Sequence, residues 1–240
     1  MKKIYTIFVL GFIVFGTAFT DIISPRWVVE YTDRYGDDVH EYVHFWYNSI
    51  AMQEFEDVKG IEQEVILSKL WLETHGGHRG AGRRGAIFGI KRKRGSKRQS
   101  IKGYDDVDNE AVDYAGYDAG WEAISHFCEF IKKPLYQKRF EAWQEIMPDY
   151  PEWHLRLLSL QVHPDMSKSK LAYAAVGCKD GTNSKCYRKR KEHAQKGIDF
   201  VIRYLRVENT KWKGMEPAVE VESIQEVDEF LIGPVQSSGI

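Results

Sequence analysis

Glu73 closes the run Leu67-Ser68-Lys69-Leu70-Trp71-Leu72-Glu73-Thr74-His75-Gly76-Gly77, where a predicted helix gives way to glycines. Ile66, Leu70 and Glu73 are spaced i, i+4, i+7, which sets this carboxylate on the same stripe as core-facing aliphatics. A carboxyl partly withdrawn from water favours its protonated form, and an acid protonated near neutral pH can hand a proton to a leaving oxygen. That is the part a general acid plays in breaking a glycosidic bond. A solvated or capped helix end is the plainer alternative. Thirteen residues later the compact apolar run Ala86-Ile87-Phe88-Gly89-Ile90-Lys91 reads as a short strand.

Two other motifs compete. His40-Glu41-Tyr42-Val43-His44 has the H-E-x-x-H spacing that puts two imidazoles on one helix face for zinc, with Glu64 available as a third ligand. Only about twenty residues precede it once a leader is removed, too few for the supporting sheet of a zinc peptidase, so no metal is expected. Gly80-Ala81-Gly82-Arg83-Arg84-Gly85 has the G-x-G-x-x-G spacing. A dinucleotide site needs a strand before that run and a helix after it, and here the order is reversed.

The elements that must position these residues follow from hydrophobic period. Residues 21–36 read as an extended connector. Val39, Tyr42, Val43, Trp46 and Ile50 have helical spacing up to Gly60, and Ile61 to Thr74 forms the helix that delivers Glu73. Seven glycines between His75 and Arg98 predict loops around the short strand, and Ile101 to Tyr117 predicts a small hairpin lobe. Trp121, Ile124, Cys128 and Ile131 restore a helix that Pro134 breaks. Arg139–Ile146, Glu152–Gln161 and a last helix through Ala194, Ile198, Val201 and Leu205 complete the order. The architecture is mainly α, several helices around a cleft with a small β lobe.

The chain has 240 residues and net charge −1, enough for one core and neutral enough to give no general case for nucleic acid. Charge is uneven along it. Ten basic residues and no acid lie between Thr74 and Tyr104, whereas Gly214 to Ile240 carries six acids and no Lys or Arg. The basic stretch suits a rim facing an anionic wall polymer, or a solvated loop; residues 208–240 read as an acidic, disordered tail. Aromatics make up 13% and suit either a core or a groove that stacks on sugars. Met1-Lys2-Lys3 ahead of an apolar stretch over residues 4–19 predicts a signal peptide or membrane anchor within 1–20, hence an exported protein. Cys128 lies on an apolar stripe, while Cys178 and Cys186 flank a polar loop and could close it as a disulfide.

Taken together, Glu73-Thr74-His75-Gly76-Gly77, Ile87-Phe88-Gly89-Ile90-Lys91 and Leu171-Ala172-Tyr173-Ala174 resemble the bacterial glucosaminidase domain of glycoside hydrolase family 73. Its members are lysozyme-like peptidoglycan hydrolases of autolysins, flagellar muramidase-type proteins and phage or mobile-element lysins. The likeness covers about Tyr47 to Leu205, within a domain bounded at 37–207. It implies a lysozyme-like α+β fold, no cofactor, and peptidoglycan glycan strands as the partner, cleaved between N-acetylglucosamine and N-acetylmuramic acid. By resemblance Glu73 is the general acid, Tyr173 lines the cleft, and the second carboxylate falls around Tyr104-Asp105-Asp106, with Asp105 first. Phe88 and Gly89 would shape the groove wall, with Tyr104, Tyr117 and Trp121 beside it. The chain departs from the family where Ala86 replaces an Asn, Thr74 a Ser, and Val176-Gly177-Cys178 the usual Thr-x-Pro-x-Tyr run. The same fold could instead serve a muramidase, a lytic transglycosylase or a non-catalytic wall-binding component.

Overall fold

The computed structural model describes residues 24–47, 49–105, 110–169 and 184–207. The leader at 1–20, Tyr173, Cys178 and the tail at 208–240 lie outside the described residues. The connector expected over 21–36 is in fact largely helical. Trp27, Val28 and Tyr31 fall on one face of α1 (Arg26–Asp33) and are buried. The Trp27 indole donates to the Tyr117 carbonyl at 3.1 Å. Burying two large aromatic rings outweighs the weak helix signals of this short segment.

Side-chain caps set the next two boundaries. Asp38 accepts the His40 amide at 2.7 Å and starts α2 (Val39–Trp46). Ser49 accepts the Met52 amide at 3.3 Å and starts α3 (Ile50–Lys59), which closes at Gly60 with φ +58°. The single stretch expected from Val39 to Gly60 is thus two helices. The helix bearing Glu73 is α4 (Gln63–Thr74), and a 3₁₀ turn over Gly80–Arg84 follows it.

The predicted strand at Ala86–Lys91 does not form. Gly85 and Gly89, at φ +96° and +57°, turn the chain out of the extended region, and Lys91 alone makes a bridge, to Tyr114. The apolar run is a buried loop, with Ala86 and Ile87 shielded from solvent. The hairpin lobe forms as expected. Strands β1 (Gln99–Asp105) and β2 (Glu110–Gly116) pair antiparallel, with Gln99 opposite Gly116 and Asp105 opposite Glu110. Hydrogen bonds from Ala115 N to Ile90 O (2.8 Å) and Arg92 N to Asp113 O (2.7 Å) sew the loop to this lobe.

The rest of the body is helical: α5 (Gly120–Ile131), α6 (Pro134–Ile146), α7 (Glu152–Gln161), α8 (Met166–Ser169) and α9 (Ser184–Phe200), which runs on as a π-helical turn over Val201–Val207. Pro134 does not merely end a helix; it is the first residue of α6, where its fixed φ suits the start and its missing N–H costs nothing. Helices α4, α7 and α9 pack together, and the core runs from Trp27 through Leu67, Ile124 and Leu158 to Leu205. Among the described residues most aromatics belong to that core. Cys128 is a free, buried thiol, and Cys186 is disulfide-bonded.

Candidate active site

The end of α4 is built to hold a reversal. His75, Gly76 and Gly77 take φ +49°, +62° and +98° in succession. The His75 and Gly76 amides donate to Trp71 O at 2.7 Å and Leu70 O at 3.2 Å, so the last helical carbonyls are satisfied. Thr74 joins this end to the apolar loop. Its hydroxyl donates to Ile87 O at 2.7 Å and accepts the Gly77 amide at 3.1 Å, so a hydroxyl is what this position requires and Thr serves in place of Ser. The G-x-G-x-x-G run has a packing role. A Cβ on Gly82 would lie 2.5 Å from Thr74 Cβ, so only glycine lets the 3₁₀ turn settle on α4.

The joint brings Gly89 under Glu73. Gly89 has φ +57°, and a Cβ there would stand 3.6 Å from Glu73 Oε2, so the turn is set by backbone conformation and presents bare main chain to the carboxylate. The other oxygen is occupied. Lys69 Nζ donates to Glu73 Oε1, and His193 Nε2 of α9 lies 3.7 Å from the same atom. The Lys69 side chain is 10% exposed and that of Glu73 29%. The expected withdrawal of Glu73 into an apolar stripe is therefore corrected. Ile66 and Leu70 are buried below it, but the carboxylate itself stands half-exposed and ion-paired, because it is the last turn of α4 that reaches the surface. Burial above all, and the Lys69 ammonium after it, push His193 down to about 4, so its ring is neutral near pH 7.

The other expected site residues divide. Phe88 is 5% exposed and stacked on Phe127 with centroids 4.3 Å apart, so its ring supports the loop from the core and does not form a groove wall. Tyr117 is likewise buried. Its hydroxyl meets His126 Nδ1 at 2.6 Å, the Arg98 guanidinium lies over its ring at 5.1 Å, and burial pushes its hydroxyl well up. Tyr104 on β1 is 55% exposed, and Trp121 at the start of α5 is partly buried with its indole N–H enclosed and unpartnered. Asp105 ends β1, but its side chain, like the whole of Tyr173, lies outside the described residues. Lys69 and His193 were not among the expected residues. Spacing signals the first, four residues before Glu73 on one helix face; no local pattern signals the second.

His40 packs edge-on against Tyr204 at 5.4 Å, on the π-helical turn, and Glu64 is buried in α4. Among the described residues no three His, Cys, Asp or Glu side chains gather as a metal site. Part of the basic stretch is spent internally: Arg92 Nε donates to Arg98 O at 2.7 Å, and Arg84 donates to Lys102 O. Among the described residues no helix is long and apolar enough to cross a membrane.

Glu73 thus ends a helix with one oxygen toward the bare backbone of Gly89 and the other on the Lys69 ammonium, in a helical domain with a small β lobe. No family model and no curated protein matches the chain. Among solved structures it is similar to the glycoside hydrolase domain of Salmonella typhimurium FlgJ, at 15% identity and TM-score 0.40, covering 74% of this chain and 99% of that one. A C-terminally truncated form of the same domain aligns at 18% identity and TM-score 0.38, over 66% and 96%.

Proposed function

We propose that the protein is an exported glycoside hydrolase of peptidoglycan, cleaving the β-1,4 bond between N-acetylglucosamine and N-acetylmuramic acid with Glu73 as general acid. The observation that carries this reading is the placement of Glu73 Oε2 over Gly89, in a joint tied by Thr74. Main chain without a side chain there leaves a sugar ring room to approach the carboxyl. Sequence likeness to the glucosaminidase domain adds support from Glu73-Thr74-His75-Gly76-Gly77 and Phe88-Gly89-Ile90-Lys91.

In this mechanism the proton on Oε2 moves to the glycosidic oxygen as the bond to the anomeric carbon breaks. Water then adds its hydroxide to that carbon and gives up its proton to Glu73, or to Asp105 in the route where Asp105 activates the water. Positive charge on the ring is met either by a water activated by Asp105 or by the substrate's own acetamido oxygen, steered by Tyr173. Tyr104, exposed on the β lobe, is the aromatic surface we assign to the glycan.

Digestion of purified sacculi followed by mass spectrometry tests the bond. Reducing N-acetylglucosamine ends are expected. Reducing muramic acid would assign a muramidase, anhydro-muramic ends a lytic transglycosylase, and intact sacculi a binding component. Glu73→Gln should lower clearing of sacculi by roughly 10² to 10⁴ per folded molecule, the usual value of general acid help. Wild-type turnover in that variant would exclude Glu73 as the acid.

A further inference from the structure

We propose that Lys69 is the positioning residue of the Glu73 carboxyl: it holds Oε1 so that Oε2 faces the ligand. This inference rests on the reading of Glu73 as general acid.

Lys69 and His193 both converge on Oε1, while Oε2 is the oxygen nearest Gly89. One oxygen is thereby fixed and the other left for chemistry. A buried ammonium needs a counter-charge, and Glu73 is the carboxylate within reach of Nζ. The charged groups around this pair leave Lys69 as its dominant cation. From α9, His193 is neutral at pH 7, with Lys196 and Arg190 near its imidazole. From α7, Arg156 is engaged with Glu62 at 2.8 Å, at the opposite end of α4. From the 3₁₀ turn, Arg83 donates to His78 O at 2.6 Å. The loop under Glu73 contributes the Gly89 backbone alone.

The test uses the full chain, with crystal structures of the variants and kinetics on purified sacculi. In Lys69→Met the Glu73 carboxyl should leave its place over Gly89, and kcat should fall about tenfold or more while KM changes less than about threefold; Lys69→Arg, which keeps a donor for Oε1, should restore both the placement and most of kcat. A carboxyl that holds its place, or a kcat unchanged, in folded Lys69→Met overturns the proposal. A carboxyl that moves in Lys69→Met while the wild type releases no muropeptides upholds the positioning by Lys69 and overturns the glycosidase reading.

Discussion

At Glu73 the first consequence is energetic. The Lys69 side chain is nearly enclosed, and Glu73 supplies its counter-charge. Glu73→Gln removes that charge and strands the ammonium, so the change should also cost about 1–3 kcal/mol of stability. Lys69→Met in the same chain should recover much of this, because a thioether needs no partner. Urea unfolding of both single variants and the double variant checks it: strict additivity would mean that Lys69 does not depend on Glu73. His193 gives a second measurable effect. Its native imidazole takes a proton only near pH 4, whereas an unfolded histidine does so near 6.5. Between those values the unfolded chain binds more protons, so stability falls as pH is lowered through the window. His193→Gln should flatten that fall in urea midpoint between pH 6.5 and 4. Part of the slope will persist, since burial pushes His78, His126 and His154 the same way.

Between elements, the joint of α4 with the 86–91 loop is what makes a site out of a helix end. Thr74 carries it through one donated and one accepted hydrogen bond, both buried. Thr74→Val keeps the volume but takes the hydroxyl donor from the Ile87 carbonyl and leaves the Gly77 amide with the Thr74 carbonyl as its acceptor. It should cost about 1–3 kcal/mol and lower kcat on sacculi more than Thr74→Ser, which keeps the hydroxyl. Thermal unfolding alongside turnover distinguishes the two; equal behaviour of Val and Ser would show that the hydroxyl does not hold the joint. Tertiary pairing also explains the failed strand. The run 86–91 has strand composition, yet it serves as a glycine-kinked plug beneath Glu73, with only its last residues touching β2.

Over the whole molecule, cysteine state reports on the environment in which the chain folds. Cys186 is bridged, while burial pushes the Cys128 thiol up to about 12. An unreduced tryptic map should therefore join the peptides of Cys178 and Cys186, with Cys128 unmodified by alkylating reagent until the protein unfolds. Rapid labelling of all three in the native protein would contradict this. The loop so closed is short, and its reduction should cost about 2–3 kcal/mol in urea unfolding.

Much of this was legible along the chain. Hydrophobic period with glycine and proline breaks marked α4, α5 and α7 to within about two residues, and Glu73 stood out because an acid ended an apolar stripe before glycines. Such features are local: a helical face, a cap and a positive-φ glycine each depend on a few neighbouring residues. The sequence alone determined the helical class, the two-stranded lobe and the identity of the candidate acid. Tertiary structure decided what that acid meets. His193 lies 120 residues from Glu73 and reaches Oε1 only because α9 packs on α4. Phe88 and Tyr117 read as groove residues in sequence, and they went to the core because Phe127 and His126 on α5 were there to receive them. Likewise α1, weak as a local signal, is held by rings that find the Tyr117 carbonyl and the α2 aromatics. Electrostatic pairing and burial depend on separations through space, which the order of residues does not encode until the chain has closed on itself.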